Sequence, residues 1–202
     1  MQTAHELFIH ELNDMLDAER KLVEALGKQA EESSRPDLKK AFESHQEQTQ
    51  KQVERLEECF DSIDEEPEER ECKGIQGLID EHDSFMDEED PSEDLIDIFN
   101  VGAGTKIERY EISAYEGLIR LADLMEHKKA SKLLSQNLKE EEQTLKKLES
   151  FSKKLKPEKM GMDEEEEMEE MESGEGEESE SGEERTPRRS STRSKPRRGR
   201  AA

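Results

Sequence analysis

Long apolar runs are missing from this chain: nowhere do about 18 apolar residues follow one another, so no membrane span is expected. The opening residues MQTAHELFIHELNDMLDAE are acidic and amphipathic, which gives no support to a secretory signal and leaves the cytoplasm as the expected compartment. Cysteine is scarce. Cys59 and Cys72 are the only two, far from a CxxC spacing, and so argue against both a zinc site and a disulfide framework. No flavin, haem or iron–sulfur motif occurs, and no segment alternates as a strand would. Positive charge is heavily outnumbered: the formal net charge of -24 disfavours broad nucleic-acid binding by the folded part, since a phosphate backbone is drawn to summed positive charge.

What the chain does have is charge and helical periodicity. At 202 residues and 29% hydrophobic content it can build one modest domain, and some of it must be tail. Residues 1–156 carry 40 acids and 22 bases, against 15 and 9 in residues 157–202, so the excess belongs mainly to the folded surface. Such a surface suits either a high-salt interior or an ordinary acidic cytosolic protein. The last residues divide into an acidic block, Asp163–Glu184, and a basic Ser/Pro/Gly-rich end, RTPRRSSTRSKPRRGRAA. Both read as disordered. The basic end is the one place where nucleic acid or an acidic protein partner is a candidate, and the acidic block competes for it.

Within residues 1–156 a period near 3.6 recurs four times, which predicts an all-α fold. The first helix starts at Thr3, with Glu6 at capping-box spacing, and runs to about Glu32. SSRP interrupts it. Ser34 with Asp37, and Pro36 in the first turn, then launch a second helix that passes through Phe60. The short join makes these two antiparallel neighbours. Residues 61–91 form a long crossover holding one short helix in GIQGLIDEHDSFM. A third long helix spans about Pro91–Met125, where Gly102 and Gly104 lower helix propensity but allow close approach. A fourth spans about Lys128–Leu155. Hairpin, long crossover, hairpin is one of the known connectivities of four-helix bundles.

Acids fall on the stripes that should be buried. Leu12, Met15, Glu19, Leu22 and Leu26 share one face; Ile107, Glu111, Ala114, Leu118 and Leu121 share another, with Glu108 one turn earlier; Leu134, Leu138, Glu141, Leu145 and Leu148 share a third. Several buried carboxylates close together repel one another unless cations compensate, and hard ions such as iron or manganese suit them. The plainer alternative is that each acid snorkels, takes water, or pairs with an arginine such as Arg20 or Arg109. His45 lies on the inner stripe of the second helix, as a substitute ligand or as a core histidine bonded to Gln48 and Gln52. His5, His10, His82 and His127 suit surface or capping roles. Phe8, Ile9 and Phe99 are extra apolar positions that fit either a dimer interface or the crossover helix.

The segments LFIHELNDMLDAERKLVEAL, LKKAFESHQEQTQKQVERLEE, CKGIQGLIDE, KIERYEISAYEGLIRLADLM and KLLSQNLKEEEQTLKKL together resemble the YciE/YciF-type family of ferritin-like proteins. The resemblance covers about residues 4–155. It implies a ferritin-like antiparallel four-helix bundle, a homodimer, and a di-iron-type centre with manganese as the alternative metal. The matching ligand positions are Glu19, Glu108, Glu111 and Glu141, with Glu140 as a register alternative and Glu47 or His45 from the second helix. The chain departs from the Glu-x-x-His pattern of di-iron bundles, since Glu111 follows Glu108 and Gln50 follows Glu47. Tyr110 and Tyr115 are candidates for hydrogen-bonding the carboxylates or carrying an electron, or else for plain packing. Two functions follow: Fe(II) oxidation with reduction of peroxide or oxygen in a stress response, or a non-catalytic dimeric scaffold.

Overall fold

The structure is a computed structural model that describes residues 1–155. The proposed tail roles lie outside the described residues. Among the described residues five helices follow one another: α1 (Ala4–Glu32), α2 (Pro36–Asp61), α3 (Lys73–Glu89), α4 (Glu93–Leu124) and α5 (Lys128–Lys154). The four long ones form a ferritin-like antiparallel bundle, and α3 lies in the crossover between α2 and α4. Around the bundle the neighbours are α1 with α2, α2 with α5, α5 with α4 and α4 with α1, while α3 packs outside against α1 and α4. The start of α1 meets the α4–α5 turn, where the His5 and Phe8 rings approach His127. The α1–α2 turn meets the start of α4 instead, so α1 and α4 are antiparallel and the crossover returns along the length of the bundle.

Local chemistry explains most boundaries. Thr3 and Glu6 form the expected capping box, each satisfying a backbone N–H of the first turn. Ser34 does something else. Pro36 opens α2 with Arg35 at the cap position and no side-chain cap, while the Ser34 hydroxyl donates to buried Asp97 of α4 at 2.7 Å. The Ser34 and Arg35 N–H groups donate to the same carboxylate at 2.9 and 3.2 Å, so a long-range clamp replaces the local cap.

The core runs through Phe8, Leu12, Leu16, Leu22, Leu56, Phe60, Tyr115, Leu118 and Leu134, each 2% exposed or less. Burying a large apolar side chain is worth roughly 1.5–3 kcal/mol, so this column offsets the cost of polar groups at mid-height. Phe8 is spent inside the chain, and Phe99 stacks on Phe85 of α3 at 3.7 Å. Of the two expected close-approach glycines only Gly104 serves: a Cβ there would meet Leu148 at 3.1 Å, whereas Gly102 faces open space. Both cysteines are free and buried, and burial pushes the Cys59 thiol up to about 12.

Candidate metal centre

Three helices of the bundle bring four carboxylates to one place at mid-height: Glu19 from α1, Glu108 and Glu111 from α4, and Glu141 from α5, each 0–1% exposed. The second helix adds His45, 6% exposed. Two groups have donor atoms within 4.8 Å of one another, His45–Glu108–Glu141 and Glu19–Glu111–Glu141. Glu141 belongs to both, which is the arrangement a bridging carboxylate requires. His45 stands between its two acids, with Nδ1 3.5 Å from Glu108 Oε1 and Nε2 3.4 Å from Glu141 Oε2. These are too long for strong hydrogen bonds.

The site is therefore under-satisfied. Glu19 Oε2, Glu108 Oε2, Glu111 Oε2 and Glu141 Oε2 are buried and have no hydrogen-bond partner among the described residues. Burial, and then the neighbouring carboxylates, raises the pKa of Glu19, Glu108 and Glu111 well above the ordinary range. An ionised carboxylate costs several kcal/mol to bury even after relaxation. Oxygen donors with one imidazole are a set that iron or manganese accepts, and two divalent ions would balance the charge of four carboxylates. On donor chemistry and orphaned oxygens alike, the residues fit such ions.

A shell of polar groups holds the acids in place. Gln52 Nε2 donates to Glu141 Oε1, so this glutamine serves the carboxylate and not His45, as the sequence had suggested. Tyr115 donates its hydroxyl proton to Glu19 Oε1 and accepts from Asn137 Nδ2 at 2.9 Å. Arg55 sets this direction. Its Nη1 donates to Asn137 Oδ1 and its Nη2 to Glu140 at 2.7 Å; because a guanidinium can only donate, the Asn137 amide must present its NH2 to Tyr115. Glu140 is thus Arg55's partner, and Glu141 is the inward acid.

Several expectations need correcting. Glu47 is exposed on the outer face of α2, two residues and just over a half-turn from His45, and it does not join the acids. Tyr110 points away from them: its hydroxyl lies 3.2 Å from Cys72 Sγ and 3.5 Å from Asp14. Only Tyr115 touches the cluster. Arg20 and Arg109 pair with Glu57 and Glu149 on the surface, leaving the acids without them. His82 is buried and bonded to Asn100 at 2.7 Å, not a surface residue. Asn137 and Arg55 escaped the sequence reading, although Asn137 sits one turn before Glu141 on the same stripe.

A four-helix bundle with a buried carboxylate–histidine cluster at its middle is the class that fold and site define. The chain matches the family model described as "Domain of unknown function (DUF892)" over residues 3–161, and it belongs to that family. It is 36% identical over 145 residues to Protein YciF of Escherichia coli (strain K12), covering 71% of this chain and 87% of that protein. The crystal structure of the E. coli stress protein YciF matches at a TM-score of 0.75 and 34% identity, over 79% of this chain and 100% of that one. YcfI of Rhodopseudomonas palustris, described as a candidate structural protein, matches at a TM-score of 0.71 and 35% identity, over 74% of this chain and 94% of its own. Among the described residues no helix is long and apolar enough to cross a membrane.

Proposed function

We propose that the cluster is a two-ion carboxylate centre that oxidises Fe(II) at the expense of peroxide or dioxygen, with iron as substrate and manganese as the alternative occupant. The observation that carries this reading is the burial of four carboxylates, each with an unpartnered oxygen, around the shared Glu141. With peroxide the reaction balances simply: two Fe(II) lose one electron each, the O–O bond breaks, and two protons are taken up to leave two waters. The protein's part is to hold and orient. Glu19 and Glu111 would hold one ion and His45 and Glu108 the other, with Glu141 common to both groups of donors. Tyr115 and Gln52 fix Glu19 and Glu141 through the hydrogen bonds described above, and such outer partners tune affinity as much as the ligands do. The stress setting of the relative YciF is consistent with a protein that removes reactive iron or peroxide.

Iron per chain, measured after anaerobic loading and gel filtration, tests the reading. Wild type should hold about two ions, His45→Ala about one, and Glu141→Ala none, as expected where one carboxylate serves both positions. Glu47→Ala should change nothing. A wild-type protein that retains no iron or manganese would sink it. The second reading, a non-catalytic homodimeric scaffold, draws on the structural description of the relative YcfI; sedimentation of the full chain tests the dimer.

A further inference from the structure

Among the described residues, four of the five candidate ligands are at most 1% exposed, and His45, at 6%, is the most exposed of the five. A small cavity of about 20 Å³ opens on this histidine between α2 and α5, lined by Ala41, Phe42, Thr144, Lys147, Leu148 and Phe151. That is room for about one water-sized molecule. Most of the collar is apolar: Ala41, Phe42, Leu148 and Phe151. Its polar members are informative. Thr144, one turn after Glu141, lines the cavity and donates its hydroxyl to Glu140 O at 3.2 Å. Lys147 adds a cationic side chain to the lining.

An ammonium over a greasy collar disfavours a hydrated divalent cation on both charge and size. It does not disfavour a neutral diatomic molecule or peroxide. Gly104, one turn before Glu108 on α4, lies behind the collar: a Cβ there would come within 3.1 Å of Leu148 Cδ1 and 3.7 Å of Phe42 Cε1. The missing side chain leaves Leu148 room to lie back, while Phe42 would be met only at ordinary van der Waals distance.

We propose that this cavity is the port by which a small neutral oxidant, dioxygen or hydrogen peroxide, reaches the cluster past His45, with Phe42, Leu148 and Gly104 setting its width. The port rests on the metal reading of the cluster and goes beyond it by separating the oxidant's route from that of the cation. Nitric oxide, a neutral surrogate for dioxygen, is the probe. The full chain is loaded with Fe(II) under argon, its iron content is measured, and nitric oxide association is followed by stopped-flow absorbance. Ala41→Phe should fill the cavity and slow association by about ten-fold or more, as expected when access requires a rearrangement, with iron content unchanged. Leu148→Ala should speed it, and decides the matter if Ala41→Phe does not fold. Parallel mixing with air-saturated buffer and with anaerobic peroxide identifies the oxidant served as the one whose reaction the plug slows. Unchanged nitric oxide association in either folded variant at full iron content overturns the port while leaving the metal site standing. A wild type that binds no iron overturns both.

Discussion

Tyr115 and Glu19 face each other across α4 and α1, joined by a buried hydrogen bond in which the phenol donates to the carboxylate. Arg55 fixes this direction by orienting Asn137. Burial, and then the Glu19 charge, pushes the Tyr115 pKa well above its ordinary value, so the phenol remains a donor at any ordinary pH. Removing that donor in Tyr115→Phe should cost about 1 kcal/mol of stability in urea unfolding. It should also weaken metal binding roughly ten-fold, the usual effect of losing an outer partner of a ligand. Unchanged affinity by isothermal titration calorimetry would show that Glu19 needs no help.

The raised carboxyls make a prediction about pH. Unfolded, Glu19, Glu108 and Glu111 titrate near 4.5; folded, burial and mutual repulsion hold their protons on to higher pH. Their contribution to stability is fully present below 4.5 and is lost as pH rises through the folded values. Metal-free protein should therefore unfold more easily as pH climbs through that window. Glu111→Gln keeps the shape without the charge and should flatten the dependence, whereas saturating Mn(II) should restore stability at the upper end. Parallel slopes for wild type and Glu111→Gln in urea unfolding across pH would contradict the repulsion argument.

His82 carries a similar sign for a different reason. Burial alone would depress its pKa, but the Glu32 carboxylate 3.4 Å away and the hydrogen bonds to Asn100 and Asp83 outweigh this and raise it to about 9. The unfolded value is 6.5, so the stabilisation is complete below that and disappears as pH rises through about 9. An NMR titration of the imidazole should place the midpoint near 9, and Glu32→Gln should lower it.

Two glycines of α3 should respond oppositely to alanine. At Gly74 a Cβ would lie 2.6 Å from the Tyr110 hydroxyl, so the ring must move and its contact with Cys72 is lost. Overpacking of this kind costs about 1–3 kcal/mol, more than the gain in helix propensity. Gly77 has open space around it, and Gly77→Ala should stabilise by up to about 1 kcal/mol. Thermal melts of the two variants, with the rate of thiol labelling at Cys72 rising only in Gly74→Ala, check both.

Periodicity and caps were enough for the helices, their order and the placing of Glu19, Glu111 and Glu141 on inner stripes with Glu108 beside them. Period and caps are local properties, and a stripe such as Leu12, Met15, Glu19, Leu22 and Leu26 must turn one face to whatever covers it. The tertiary structure decided which helix met which, and so chose between readings that the spacing left level. Ser34 binds Asp97 across 63 positions instead of capping its own helix. Phe99 meets α3, and Tyr110 meets Cys72. Glu47 turns to solvent while His45 turns to Glu108 and Glu141. Asn137 and Arg55 acquire their role only once α2 and α5 are neighbours. Periodicity can show that a polar side chain points inward, but the partner it finds there comes from another part of the chain and is fixed by packing.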